Sequence, residues 1–239
     1  MTYVDGFVVA VPTDRKEEFR AHAASLQPSF REFGTTRVVE AWGDDVHEGK
    51  RTDFRRAVKA EAGESVVFAW FEWPSKEVRD AANEKMRSNA EMAEIGAAAP
   101  FDAKRMIFAG FRPILEEDFG GTTGYVDGFV APVPADRKEA YLAMAAKMAA
   151  AFRRHGASRV VETWGDDVPD GKLTDFNGAV QAEEGESIVF SWIEWPSKED
   201  RDEGWKKVMA DPDMQPDPAN MPFDGKRMIY GGFAPLIDE

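Results

Sequence analysis

The segment Glu64-Ser65-Val66-Val67-Phe68-Ala69-Trp70-Phe71-Glu72-Trp73 decides how this chain folds. Most of its residues are β-branched or aromatic, the composition of a strand. Alternation sends Val66, Phe68 and Trp70 to one side and Val67, Ala69, Phe71 and Trp73 to the other. Neither side is polar. A strand with one wet face alternates apolar with polar residues, so this one has to be covered on both faces. A buried Trp or Phe removes roughly 150–250 Å² from water. That is worth about 4–6 kcal/mol as an upper bound, at about 25 cal/mol per Å². Several such rings left in water together would exceed the apolar patch a monomer usually shows.

The cover is written in the same chain. The segment returns as Glu186-Ser187-Ile188-Val189-Phe190-Ser191-Trp192-Ile193-Glu194-Trp195. Its surroundings return with it at one constant offset. Tyr3-Val4-Asp5-Gly6-Phe7-Val8 becomes Tyr125-Val126-Asp127-Gly128-Phe129-Val130, and Trp42-Gly43-Asp44-Asp45-Val46 becomes Trp164-Gly165-Asp166-Asp167-Val168. Lys104-Arg105-Met106-Ile107 becomes Lys226-Arg227-Met228-Ile229, and about 64 of about 115 aligned positions are identical. The chain is a tandem duplication: a first repeat over 1–118, a second over 124–239, and a connector over 119–123 softened by Gly120 and Gly121. Two copies are too few for a solenoid and enough for a pseudo-dimer, so each repeat is expected to lid the other's apolar face.

Within one repeat, Tyr3 to Pro12, Arg37 to Asp45, Glu64 to Trp73 and Lys104 to Leu115 read as strands. Thr52 to Ala60 reads as a short helix capped by Thr52, in preference to an extra strand. Asp136 and Glu139 form a capping-box pattern before a helical stripe through Tyr141, Met144, Ala145, Met148, Ala151 and Phe152, closed by Gly156. The matching helix of the first repeat carries Pro28, which predicts a kink or an early end. Ser75 predicts the cap of a helix reaching toward Asn89. The order is β-α-β-β-α-β, the split arrangement of ferredoxin-like folds. The expected fold class is α+β: two ferredoxin-like repeats packed sheet to sheet as an intrachain α+β barrel with the helices outside.

The 239 residues carry a net charge of −14, which argues against nucleic acid and against an anionic membrane surface. There is no cysteine, hence no disulfide, thiolate metal site or thiol nucleophile. The N-terminus lacks the basic and apolar blocks of a signal peptide, and a cytoplasmic location is expected. A monomer or weak homo-oligomer is expected, with a small-molecule ligand as the candidate partner.

The four long motifs quoted above, with Glu72-Trp73-Pro74-Ser75-Lys76 and Pro100-Phe101-Asp102-Ala103-Lys104-Arg105, resemble the bacterial family called domain of unknown function 1428. The likeness covers nearly the whole of each repeat. It implies a dimeric α+β barrel, ordinarily one domain per chain, here fused into one polypeptide. It implies no reaction. The second repeat follows the family pattern more closely, in Met209-Ala210-Asp211-Pro212 and Gly231-Gly232-Phe233, so a site kept in one half only is expected there. Haem-binding barrels of this superfamily use a histidine. His22, His47 and His155 are not repeated, so haem is disfavoured.

Candidate chemistry rests on carboxylates inside apolar strands: Asp5, Glu40 and Glu72 with their repeats Asp127, Glu162 and Glu194. Tyr3, Asp5 and Phe7 share one face, as do Glu40 with Trp42 and Glu72 with Phe68 and Trp70; all are assigned to the barrel interior. There a carboxylate would be desolvated and its pKa raised unless Arg37, Arg105, Arg159 or Arg227 paired with it. One reading is a pocket between the sheets, with Asp127, Glu162, Glu194 and their first-repeat equivalents as proton-transfer groups. Tyr125, Phe129, Trp164, Trp192 and Arg227, with Tyr3, Phe7, Trp42, Trp70 and Arg105, would hold the ligand. The other is a set of structural ion pairs at strand ends. The first supports a binder of a small apolar or aromatic metabolite, or a cofactor-independent oxygenase or isomerase; the second, a non-catalytic scaffold or interaction module with a filled barrel. Asp44 and Asp45 do not follow the Ca²⁺-loop spacing and are expected to cap a turn, so no metal is assigned. No phosphate-binding Gly loop or Ser-His-Asp set is visible and no cofactor is assigned. The proline-rich stretch 211–222 is a connector or a lid.

Overall fold

Tyr3–Pro12, the first strand (β1), pairs along its whole length with β3, Glu64–Trp73, in a computed structural model that describes residues 2–214 and 220–239. The first repeat adds β2 (Arg37–Asp45) and β4 (Ile107–Asp118). Its helices are α1 (Lys16–Phe33), α2 (Phe54–Ala57), α3 (Lys76–Ser88) and α4 (Ala90–Ala97). The second repeat has strands β5 (Tyr125–Pro134), β6 (Arg159–Asp167), β7 (Glu186–Trp195) and β8 (Ile229–Asp238). Its helices are α5 (Lys138–Arg154), α6 (Phe176–Ala179) and α7 (Lys198–Ala210).

The eight strands are antiparallel neighbours in the order β1-β3-β2-β8-β5-β7-β6-β4 and close into one barrel. The halves are hydrogen-bonded to each other as well as packed. The start of β4 pairs with β1; after a register shift at Gly110/Phe111 the strand continues against β6 of the other repeat. β8 crosses in the same way from β5 to β2. Such irregularities bend a strand and re-aim it. Among the described strands, closure leaves no sheet edge open to aggregation.

The interior is filled. Phe68 stacks on Phe190 at 4.5 Å and 3°, and Trp70 stacks on Trp192 at 4.5 Å. Phe111 and Phe233 flank the phenylalanine pair, and Phe54 and Phe176, delivered by α2 and α6, meet it nearly edge-on. All eight rings are fully buried. This corrects the expectation of a cavity between the sheets: that space is packed core.

The face assignment is corrected as well. Trp70 lies opposite Gly6 on β1 and Val39 on β2, so those residues share the inner face. Their sequence neighbours Asp5, Phe7 and Glu40 therefore point outward, with Tyr3 and Trp42, toward the helices. Asp127, Phe129, Glu162, Tyr125 and Trp164 do the same in the second repeat.

Several local expectations shift. Asp53, not Thr52, caps α2 by accepting the Arg56 amide, while Thr52 donates across the repeats to the Ala179 carbonyl at 2.5 Å. Ser75 does cap α3. Asp136 sits in a single 3-10 turn before α5 and makes no cap, because the helix starts two residues later. Pro28 does not shorten α1, which is one residue longer than α5. The last strand begins at Ile107, since Ala103–Arg105 forms a 3-10 turn. Of the stretch 211–222 considered as a lid, 215–219 lie outside the described residues.

Gly232 shows how tightly the crossing strands are drawn. A Cβ there would lie 2.5 Å from the Tyr125 hydroxyl, which donates to Asp44 of the other repeat at 2.9 Å. Gly232→Ala is expected to displace that hydroxyl and cost about 1–3 kcal/mol, read from the urea midpoint. An unchanged midpoint would show the tyrosine is free to move.

Candidate functional site

The outward strand residues meet the helices around two apolar pockets, one per repeat. The first-repeat pocket, about 490 Å³, lies between the β1-β2-β3 outer face and helices α1, α3 and α4. Phe7, Phe19, Phe30, Phe71 and Phe101 line it with Met86, Met92 and Met106. The second-repeat pocket, about 530 Å³, is lined by Phe129, Phe152, Trp205 and Phe223 with Met144, Met148, Met214, Met221 and Met228. Apolar walls with a few polar groups and this size are ordinary for small-ligand sites. Unbranched methionines can adapt to an irregular guest.

One carboxylate stands on the floor of each. Glu40 lies opposite Ala69, and Glu162 opposite Ser191. Among the described residues no hydrogen bond or ion pair reaches the Glu40 side chain, and burial alone pushes its carboxyl up to about 7. Glu162 is also raised to about 7 by burial, opposed by hydrogen bonds from Tyr141, at 2.6 Å, and from Ser191. A carboxyl that titrates near neutrality can take or give a proton there without a large driving-force penalty.

Asp5 borders the first pocket. Burial raises it to about 6, against the opposing charge and hydrogen bond of Arg79 and the Trp73 indole. Asp127 is likewise raised by burial and accepts from Arg201, Trp195 and Trp205. Arg79 continues to Asp167, and Arg201 to Asp45. With Tyr3 on Asp166 and Tyr125 and Lys198 on Asp44, the aspartate pair after each Trp-Gly ties the repeats together.

Glu72 and Glu194 remain inside the barrel, at the end opposite α2 and α6, and sequence reasoning placed them there. Arg159 reaches Glu72 at 2.6 Å, and Arg37 reaches Glu194 at 2.9 Å with both nitrogens. Each arginine thus serves the other repeat's glutamate. The indoles of Trp70 and Trp192 donate to the same carboxylates. Burial raises Glu194, but Arg37, Thr123 and Arg159 outweigh it and hold the carboxyl below its ordinary range. Both glutamates line a polar cleft at the barrel mouth. Arg105 and Arg227 serve none of the six carboxylates. They form two-pronged pairs with Glu64 and Glu186.

The ten proposed ligand residues therefore separate. Phe7 and Phe129 line the pockets. Tyr3 and Tyr125 form inter-repeat bonds, Trp42 and Trp164 pack beside α1 and α5, and Trp70 and Trp192 are barrel core; Trp192 also borders the second pocket. Tyr141 and Ser191 were not foreseen, since neither is repeated. Arg79 and Arg201 left a signal: Arg79-Asp80 recurs as Arg201-Asp202 in helices that share few residues beyond Lys76-Glu77, Lys85 and their repeats.

A family model described as "Protein of unknown function (DUF1428)" matches residues 2–103 and again 124–225. The chain belongs to this DUF1428 family. "Uncharacterized protein YbaA" of Escherichia coli strain K12 is 64% identical over 117 residues, 49% of this chain and 100% of that protein. DUF1428 thus occurs there as one unit and here as two. Among solved structures, the "Putative monooxygenase (FN1347)" of Fusobacterium nucleatum superposes with a TM-score of 0.63 at 8% identity, covering 100% of this chain and 94% of that one. A "putative monooxygenase" of Lactobacillus acidophilus NCFM gives 0.57 at 10%, covering 100% and 96%. An "anthrone oxidase-like protein" gives 0.53 at 12%, covering 100% and 92%. At these identities the likeness is one of fold: this DUF1428 chain is an α+β barrel. Among the described residues no helix is long and apolar enough to cross a membrane.

Proposed function

We propose that the chain binds a small apolar or aromatic metabolite in the pockets between barrel and helices, and that Glu40 and Glu162 are the proton-transfer groups of a cofactor-independent oxygenase or isomerase. The observation that carries this reading is Glu40: a buried carboxylate opening on an apolar pocket, with no partner among the described residues. Leaving a buried charge unpaired is costly, and such groups are kept where they have work to do. The reading moves the site from the barrel interior to its outer face. Each repeat is taken as a ferredoxin-like unit, 1–118 and 124–239 joined by 119–123. Fold neighbours with monooxygenase and anthrone oxidase-like names make flat aromatic molecules the class to test first.

The filled barrel is what a non-catalytic scaffold would show, so that reading keeps one observation in its favour. The methionines separate the two. With methyl-labelled methionine, a bound aromatic ligand is expected to shift Met86, Met92 and Met106, or Met144, Met148 and Met228, while exposed Met209 stays fixed. A library of flat aromatic metabolites that moves none of the pocket methyls would leave the scaffold reading standing alone.

A further inference from the structure

The pockets occupy equivalent places, yet their walls differ beside the buried carboxylates. Tyr141 in the second repeat stands where the first has Phe19, Ser191 where it has Ala69, and Trp205 where it has Asn83. The first two supply the hydroxyls that bond Glu162. Their replacement by a phenyl ring and a methyl group strips every such donor from Glu40. Of the other polar groups around the first pocket, His22 and Asn83 line its wall, His22 where the second repeat has Met144, and the rest are engaged elsewhere. Asp5 is held by Trp73 and Arg79, Arg79 also by Asp80 and Asp167, and Arg87 pairs with Glu84. Trp205 further narrows the polarity of the second pocket by turning its indole N–H to Asp127, at 2.7 Å, and its ring onto Phe152.

A carboxylate oxygen facing apolar walls gains most from a donor that arrives with the ligand, because no described side chain already donates to it. A carboxylate already bonded to a tyrosine and a serine offers much less. We infer that the two pockets select different ligands: the first-repeat pocket takes a flat apolar molecule bearing one O–H or N–H donor, received by Glu40, and the second takes a flat molecule without one. This rests on the reading that the pockets hold ligands. The duplication then carries two specificities in one chain, with the freer carboxylate in the repeat that departs further from the family pattern.

The test uses the full chain with methyl-labelled methionine and two probes of one shape, 2-naphthol and naphthalene, at about pH 8, above the titration of Glu40. Titrations followed at Met86, Met92 and Met106 are expected to show 2-naphthol binding at least about tenfold tighter than naphthalene, about 1.4 kcal/mol. At Met144, Met148 and Met228 the two should agree within about threefold. Glu40→Leu is expected to abolish the first-pocket preference, and Glu40→Gln to reduce it. The paired change Tyr141→Phe with Ser191→Ala should create the preference in the second pocket, a test that does not depend on how any Glu40 variant folds. Equal preference in both pockets, or a preference that survives Glu40→Leu, overturns the inference while leaving ligand binding intact. Silence of all six methyls toward both probes overturns the binding reading itself.

Discussion

Replacing Arg159 by methionine is expected to cost about 3–5 kcal/mol of stability, the usual result of leaving a buried charge without its partner. Arg159 is 7% exposed, and it bonds Glu72, Glu194 and Glu116. Without it, Glu72 keeps the Trp70 indole and Arg37 at 3.7 Å. The guanidinium also lies 5.9 Å from the centre of the Trp192 ring, a contact that methionine only partly replaces. The companion variant tells burial of charge from loss of packing. Arg159→Met with Glu72→Leu removes the charges as a pair, and should be markedly more stable than Arg159→Met alone. Urea unfolding followed by tryptophan emission measures both. A single variant within about 1 kcal/mol of the parent would mean that water at the barrel mouth screens these charges.

Glu40→Gln should behave in the opposite sense and depend on pH. Burial raises the Glu40 carboxyl from 4.5 to about 7. Between those values the folded chain holds a proton that the unfolded chain has released. The resulting stabilisation is complete below pH 4.5 and is lost as pH rises through 7. At about 1.4 kcal/mol per pH unit, the loss from this one group is at most about 3.5 kcal/mol. Glutamine cannot ionise and escapes it. At about pH 8 the variant should be more stable than the parent by about 1–3 kcal/mol, raising Tm by roughly 2–10 °C. At about pH 4, below both values, the two should differ by less than about 0.5 kcal/mol. Asp5, Asp127 and Glu162 are raised too, so the parent's own pH slope mixes several groups. The difference between parent and variant isolates Glu40. Equal stability at pH 8 would mean that water or a ligand satisfies the carboxylate, and a less stable variant would point to an ionised role in the fold.

The arginine pairs and Glu40 were unequally visible in the sequence. Glu72, Glu194, Arg37 and Arg159 are repeated on apolar strands and read from the sequence as possible partners; the structure joins them crosswise. Glu40 and Glu162 are legible as carboxylates in apolar strands, but not the side of the sheet on which they lie. Tyr141 and Ser191, which make the two pockets unlike, could not be found from the repeat because they are where the repeat fails. Of the pocket methionines, the helical stripe marks only Met144 and Met148.

The amino-acid sequence determined the strands, the duplication and the need for each half to cover the other. Those follow from local pattern: two apolar faces on one strand, written twice. What alternation cannot say is which face of one strand belongs with which face of the next, since a shift of one residue in pairing exchanges inside for outside. Only the register of β1 and β2 against β3 settles that. It sends the tryptophan and phenylalanine stacks into the barrel and Glu40 out under the helices, turning an expected cavity into packed core and placing the candidate site on its outer face.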